Sequence, residues 1–335
     1  MAEAAPATYM GLEQARISRF EPREIPMSNG IHHVTAISGP ARRNLGFYAG
    51  ILGLRLVKKT VNFDDPGTYH FYYGDEAGHP GTLLTFFPWE TASKGQVGTG
   101  ETFETAFRVP AAAIGYWAQR FVEKGVAHET PARRFGEPVL SFRDPDGMRL
   151  ALVGVAGAES EPGREAADIP AEMAIRGFHS VTLLIEDAQP TGGILADVFG
   201  FAETASEGTT VRYQVAGEGQ GGIVDLRVAP GFPRGNLGAA SVHHVAFRAA
   251  DDAAQAAMVE RLVANHGLRT TRQKDRAYFR SVYFHEPNGV LFEIATDVPG
   301  FAVDEPLAGL GQSLKLPAFL EPRRATLERV LPDLG

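Results

Sequence analysis

The chain of 335 residues contains no cysteine, which excludes disulfide scaffolds, thiolate-ligated zinc or iron–sulfur centres and cysteine nucleophiles. Any metal must therefore be held by nitrogen and oxygen. Positive charge is not in excess either: 32 Lys and Arg stand against 40 Asp and Glu, a formal net charge of −8, so the electrostatic footprint of a nucleic-acid binder is missing. No run reaches the roughly 18 consecutive apolar residues that a membrane span needs. Residues 1–29 lack an apolar stretch flanked by basic residues and a small-residue cleavage site, and read as a tail rather than a secretory signal. These gaps lead us to expect a cytoplasmic protein with neither nucleic acid nor membrane as a partner.

What is present is ordinary globular material. Hydrophobic residues make up 44% and charged residues 21%, and the usual prior of roughly 100–200 residues per domain gives about two domains. The 38 glycines suit short strands joined by tight turns.

Internal repeats organise the chain. Ser141-Phe142-Arg143-Asp144-Pro145-Asp146-Gly147 parallels Tyr283-Phe284-His285-Glu286-Pro287-Asn288-Gly289. An apolar run follows each, Leu150 to Val155 and Leu291 to Thr296, so both read as strand, type I turn, strand. Upstream of each lies a helix-like stretch, Ala111 to Lys124 and Asp251 to His266, and before that a strand, Thr102 to Val109 and Ser241 to Ala249. Gly30-Ile31-His32-His33-Val34-Thr35 pairs likewise with Gly177-Phe178-His179-Ser180-Val181-Thr182. The chain reads as four β-α-β-β-β modules near 30–90, 100–156, 176–230 and 240–297, with a Glu-, Ala-, Pro- and Gly-rich connector over 157–175.

Superposing the modules orders the histidines. At one point of the first strand the modules carry His33, Glu104, Ser180 and His244; four residues after the glycine that opens the last strand they carry Thr85, Ala151, Leu226 and Glu293. Modules 1 and 4 thus supply two imidazoles and a carboxylate at equivalent positions, and Glu293 sits inside an apolar strand where an unpaired charge is costly. Two His and one carboxylate leave open positions on non-haem Fe(II), and suit Mn(II) or Zn(II) less selectively. The set closes only if module 1 faces module 4. The competing readings are hydrogen-bonded structural histidines and a Glu293 paired with Arg or Lys. His70, His79, His179 and His285 fit no ligand set and read as structural.

At these residues the sequence resembles the vicinal oxygen chelate superfamily, and within it the hydroquinone-type ring-cleaving dioxygenases. The likeness covers about residues 28–300. It rests on Gly30-Ile31-His32-His33-Val34-Thr35, Val242-His243-His244-Val245-Ala246-Phe247 and Leu291-Phe292-Glu293, with 49 residues from His244 to Glu293. Catechol-type relatives take their first His from the third module, where this chain has Ser180. The resemblance implies an α+β fold in which the four modules form two cup-shaped half-barrel domains, module 1 facing module 4 around the metal, with domain spans of 30–156 and 176–298 and a C-terminal arm over 299–335. It further implies Fe(II) on His33, His244 and Glu293, with Tyr283, Arg276, His32, His243 and Thr35 acting around the metal.

Several of these positions have a rationale in the chain. Thr35 shares the ligand face of its strand, and Tyr283 is a phenol able to donate a hydrogen bond to substrate, or else a core tyrosine. Arg276 is a fixed cation or a surface arginine. Strand alternation turns His32 and His243 away from the ligand face unless a bulge intervenes. Phe71, Tyr72, Tyr73, Phe86, Phe87, Trp89 and Phe279 are either strand filler or the walls of a substrate box. The expected partners are a small aromatic diol and O2. A glyoxalase-like isomerase or thiol transferase is the competing enzyme, and a binding protein that sequesters a drug or quinone is the competing class. The arm covers the cup or packs at the interface of a homo-oligomer; the sequence leaves both open.

Overall fold

The computed structural model describes residue 1 and residues 30–166, 168–217 and 219–335. The expected tail, apart from its first residue, lies outside the described residues. Four copies of one unit follow. The first comprises β1 (Ile31–Ser38), α1 (Ala41–Leu45) with a π-helical continuation over Gly46–Ile51, β2 (Arg55–Val61), β3 (Tyr69–Gly74) and β4 (Leu83–Pro88). The second comprises β5 (Glu101–Pro110), α2 (Ile114–Lys124), β6 (Ala132–Arg134), β7 (Glu137–Arg143) and β8 (Arg149–Val155). The third comprises β9 (Phe178–Ile185), α3 (Ala188–Asp197), β10 (Phe201–Glu207), β11 (Thr210–Val215) and β12 (Ile223–Val228). The fourth comprises β13 (Val242–Ala249), α4 (Asp252–His266), β14 (Lys274–Asp275), β15 (Arg280–His285) and β16 (Leu291–Thr296).

Local chemistry accounts for the boundaries. Asp251 caps α4 by accepting from the Ala254 amide, and Gly267 ends the helix in the left-handed region. Both repeated hairpins close as read: the Gly147 amide donates to the Asp144 carbonyl at 3.0 Å and the Gly289 amide to the Glu286 carbonyl at 2.8 Å. Gly289 has φ 100°, a conformation that a Cβ would oppose.

The strands form two eight-stranded α+β cups. The first runs β14-β15-β16-β13-β1-β4-β3-β2 and the second β10-β11-β12-β9-β5-β8-β7-β6. Module 1 therefore faces module 4, through antiparallel β1 and β13, and module 2 faces module 3, through antiparallel β5 and β9. Each cup takes one module from each half of the chain, so the cups do not coincide with the spans 30–156 and 176–298. The first strand of every module has a free edge, and pairing these edges makes each cup continuous and leaves no open strand at its centre.

The arm packs on module 1 of its own chain. Lys58, fully buried on β2, is 2.5 Å from both Asp304 and Glu305, and Leu314 bridges to Lys59. Leu320, Leu327 and Leu331 join the main core, and the arm ends in a short helix, α5 (Arg324–Val330). No helix among the described residues is long and apolar enough to cross a membrane.

Candidate metal centre

Two β-bulges shape the centre of the first cup. Opposite β13, Ile31 pairs with Phe247 and His33 with Ala246, so His32 is the extra residue of β1. Thr35 pairs with His244 and Ala36 with Val242, so His243 is the extra residue of β13. A bulge re-aims its side chain and lets consecutive residues reach one site. That is how His32 and His243, which alternation alone would turn away, lie beside the ligand face.

His33, His244 and Glu293 are all buried, and their ligand atoms lie within 4.8 Å of one another. The His33 Nε2 to His244 Nε2 separation is 3.2 Å; Glu293 Oε2 lies 2.9 Å from His244 Nε2 and 3.4 Å from His33 Nε2. Three mutually cis ligands about 2.1 Å from one ion sit about 3.0 Å apart, so this triangle has the size of one face of a coordination octahedron. The other atoms of the three side chains are already committed. His33 Nδ1 is 2.9 Å from His32 Nδ1, His244 Nδ1 is 2.8 Å from His243 Nδ1, and Glu293 Oε1 accepts from Ser281. Glu293 Oε2 is buried with no aligned hydrogen-bond donor. A divalent cation would satisfy this orphaned oxygen and the two Nε2 lone pairs together if the imidazole protons sit on Nδ1, toward His32 and His243.

The electrostatics agree with a ligand set in its binding form. Burial by itself would raise the Glu293 carboxyl, but His33 and His244 beside it hold it well below the usual carboxylate range. Burial lowers His244 despite the nearby Glu293. Burial and His33 push His32 well down, and burial and His244 bring His243 down to about 4. Near neutral pH His32, His243 and His244 are uncharged, and an uncharged His244 is the form that binds a metal.

A cavity of about 360 Å³ opens onto the two histidine ligands. Tyr72, Phe87, Trp89, Phe279 and Tyr283 line it, whereas Phe71, Tyr73 and Phe86 point to the other side of the sheet and belong to the main core. The Tyr283 ring lies 5.6 Å from the His244 ring, and the Arg276 guanidinium stands 5.6 Å over Tyr283 on the side facing Asp64, to which it donates at 2.9 Å. Burial and Glu293 raise the Tyr283 phenol well above its usual value, so it stays protonated as a donor. Thr35 shares the ligand face, but its hydroxyl engages Thr85 at 2.7 Å rather than the triad.

Sequence reasoning missed Asp64 and Lys274 of the cavity lining, and His70 and Ser281 beside the triad. His70, read as structural, lines the cavity and bridges the Thr85 hydroxyl at 3.0 Å and the Tyr72 hydroxyl at 2.9 Å. Ser281 anchors Glu293. Each lies two residues from an aromatic already singled out, Tyr72 and Tyr283, so the period of a strand could have found both.

The sequence model of the Glyoxalase/Bleomycin resistance protein/Dioxygenase superfamily matches residues 30–152 and 177–294. The chain belongs to this superfamily. It is 45% identical over 306 residues to the Bacillus subtilis (strain 168) protein named "Putative ring-cleaving dioxygenase MhqO", an alignment covering 90% of this chain and 95% of that protein. It is 31% identical to the chlorohydroquinone/hydroquinone 1,2-dioxygenase of Sphingobium indicum, over 91% of this chain and 96% of that enzyme. A crystal structure described as a putative dioxygenase from Bacillus subtilis subsp. subtilis str. 168 superposes with a TM-score of 0.87 at 44% identity, covering 92% of this chain and 98% of that one.

The superfamily's repeated module gives this member two cups, and register identifies what the second holds in place of the triad. Ala246 pairs with Glu293 and Thr35 with Thr85; the matching pairs in the second cup are Ala106 with Ala151 and Thr182 with Asp225. The module 3 counterpart is therefore Asp225, not Leu226. The sequence count started from Gly222, whereas the turn glycine with positive φ is Gly221. Asp225 is held by Arg212 at 2.8 and 2.9 Å; Arg212 also reaches Glu137, which lies 3.2 Å from His179.

Proposed function

We propose that the protein is an Fe(II)-dependent ring-cleaving dioxygenase that uses O2 to open hydroquinone or a related dihydroxybenzene ring. The observation that carries this reading is the triangle of His33, His244 and Glu293 facing an aromatic-walled cavity. The similarity to a chlorohydroquinone/hydroquinone 1,2-dioxygenase supports it. His33, His244 and Glu293 would hold the ion, which supplies Lewis acidity toward a substrate hydroxyl and a one-electron couple for O2 chemistry. Mn(II) and Zn(II) fit the same donors less selectively.

The protein's own groups account for orientation. A para-diol presents one hydroxyl at a time to the centre, so the surrounding side chains must fix the ring. Tyr72, Phe87 and Phe279 confine its faces, and the protonated Tyr283 donates to the oxygen beside His244. Arg276 keeps that phenol in place and offsets negative charge that develops on the substrate. His32 and His243 hold the two ligand imidazoles in one tautomer and one orientation. The overall change is balanced: both atoms of O2 enter the ring-opened product, and no external reductant is consumed. A cytoplasmic enzyme of this class would act on small aromatic diols.

The deciding experiment is anaerobic reconstitution with Fe(II), followed by oxygen-uptake assays on hydroquinones and catechols. We expect O2 consumption with hydroquinones and a product heavier by one O2. Turnover with Zn(II) but not Fe(II) would point to the isomerase or transferase reading, and binding of ligands without O2 uptake would point to sequestration.

A further inference from the structure

The cavity carries one cation more than the opening of a neutral diol uses. Among its lining residues the formally charged groups are Lys274, Arg276 and Asp64, two cations against one carboxylate. Both cations approach the same Tyr283 ring, Lys274 at 5.8 Å and Arg276 at 5.6 Å, and the His244 ring stands 5.6 Å from it. Lys274 and Arg276 thus gather around the same ring that stands beside His244.

Asp64 compensates these cations poorly. It is the most solvent-exposed of the three, at 63% against 44% for Lys274 and 17% for Arg276, and its oxygen lies 2.9 Å from Arg276 but 3.8 Å from Lys274. An exposed carboxylate is screened by water and salt, whereas a largely buried guanidinium faces the low-dielectric cavity. The second cup lacks this imbalance. There Arg134, seven residues before Ser141 as Arg276 is before Tyr283, is paired at 2.6 Å with the buried Glu104.

We propose that the cavity selects dihydroxybenzenes bearing an anionic ring substituent, such as a carboxylate, held by Lys274 and Arg276 beside Tyr283. This rests on the ring-cleaving reading and narrows its substrate class.

Trp89 provides the readout. It lines the cavity, and the chain's other tryptophan, Trp117, is fully buried on α2. Titrating the protein as isolated, under nitrogen, with hydroquinone and with 2,5-dihydroxybenzoate measures binding without turnover. The benzoate should quench Trp89 with about fivefold to tenfold higher affinity, and salt should erode that preference. Lys274→Gln should lower the affinity ratio about threefold to fivefold, Lys274→Arg should preserve it, and Asp64→Asn should raise it. If hydroquinone binds as tightly as the benzoate, or if none of the three variants moves the ratio, this inference is overturned and the ring-cleaving reading stands. If neither compound binds, both are overturned.

Discussion

Where the first cup gathers His33, His244 and Glu293, the second places Ser180, Glu104 and Ala151 at the same positions of the same strands. Both cups carry the same pair of bulges, since Phe103 is the extra residue of β5 and His179 that of β9. The backbones agree, and the buried charges are resolved differently. In the second cup every acidic group of the central network faces an arginine: Asp225 and Glu137 meet Arg212, and Glu104 meets Arg134. In the first, Glu293 faces two imidazoles whose Nδ1 atoms are already occupied. A carboxylate with a guanidinium is satisfied, whereas one against two Nε2 lone pairs calls for a cation. The fold supplies two equivalent vessels, and side-chain chemistry alone gives one of them a donor set that could hold a metal ion.

The largest test of this contrast removes the centre. His33→Ala or Glu293→Gln should abolish bound metal, read by elemental analysis, and O2 uptake with it. Ser180→Ala, at the counterpart of His33, should leave both at the parent level. Next in size is the second cup's network. Arg212→Met strands Asp225, which is 5% exposed, and should cost about 3–5 kcal/mol in denaturant unfolding, with Asp225→Leu added in the same chain restoring most of it. Metal content should be unchanged in the folded protein.

Acid should separate the cups. His243 drops from 6.5 to about 4 on folding. Between those values the unfolded chain holds a proton that the folded chain does not, so stability declines as pH falls through this window. This group alone accounts for about 2 kcal/mol after allowance for its partial exposure. His32, His70 and His244 are lowered as well and add to the slope. Glu137, lowered from 4.5 by His179 and Arg212 against the effect of burial, gives stability that is present above 4.5 and lost only below it. The first cup's histidines should pull urea midpoints of chelated protein down from pH near 7 to pH near 4. Glu101 and Asp144 of the second cup, raised by burial to about 7 and about 6, act in the opposite sense, so the acid-side change should shift toward greater stability in His243→Phe relative to the parent. The smallest effect is His243→Phe, which installs the residue type of Phe103: metal affinity should drop about 10- to 100-fold in a competition titration, with the fold retained.

Much of this was legible in the chain. The repeated hairpins, the helices ending at Lys124 and His266, and the four-module order follow from turn chemistry and hydrophobic period, which are local. The triad was legible because modules can be superposed by counting residues. The same counting failed at Asp225, where one extra glycine in the turn shifted the frame by one residue. His70 was missed for another reason. Its partners Thr85 and Tyr72 come together by strand pairing, and no ligand pattern marked it.

The sequence by itself determined the unit of construction, the exclusion of thiolate chemistry and the choice of three candidate ligands, because each depends on residue type and on position within a repeated module. Only the tertiary structure decided that the cups cut across the two halves of the chain, that bulges bring His32 and His243 to the ligands, and that Lys274 and Arg276 share one cavity with Asp64. A module's alternation is the same whichever module it pairs with, and a bulge is a property of two strands together. The absence of cysteine required nitrogen and oxygen ligands; the geometry of the first cup is what gathers them at one point.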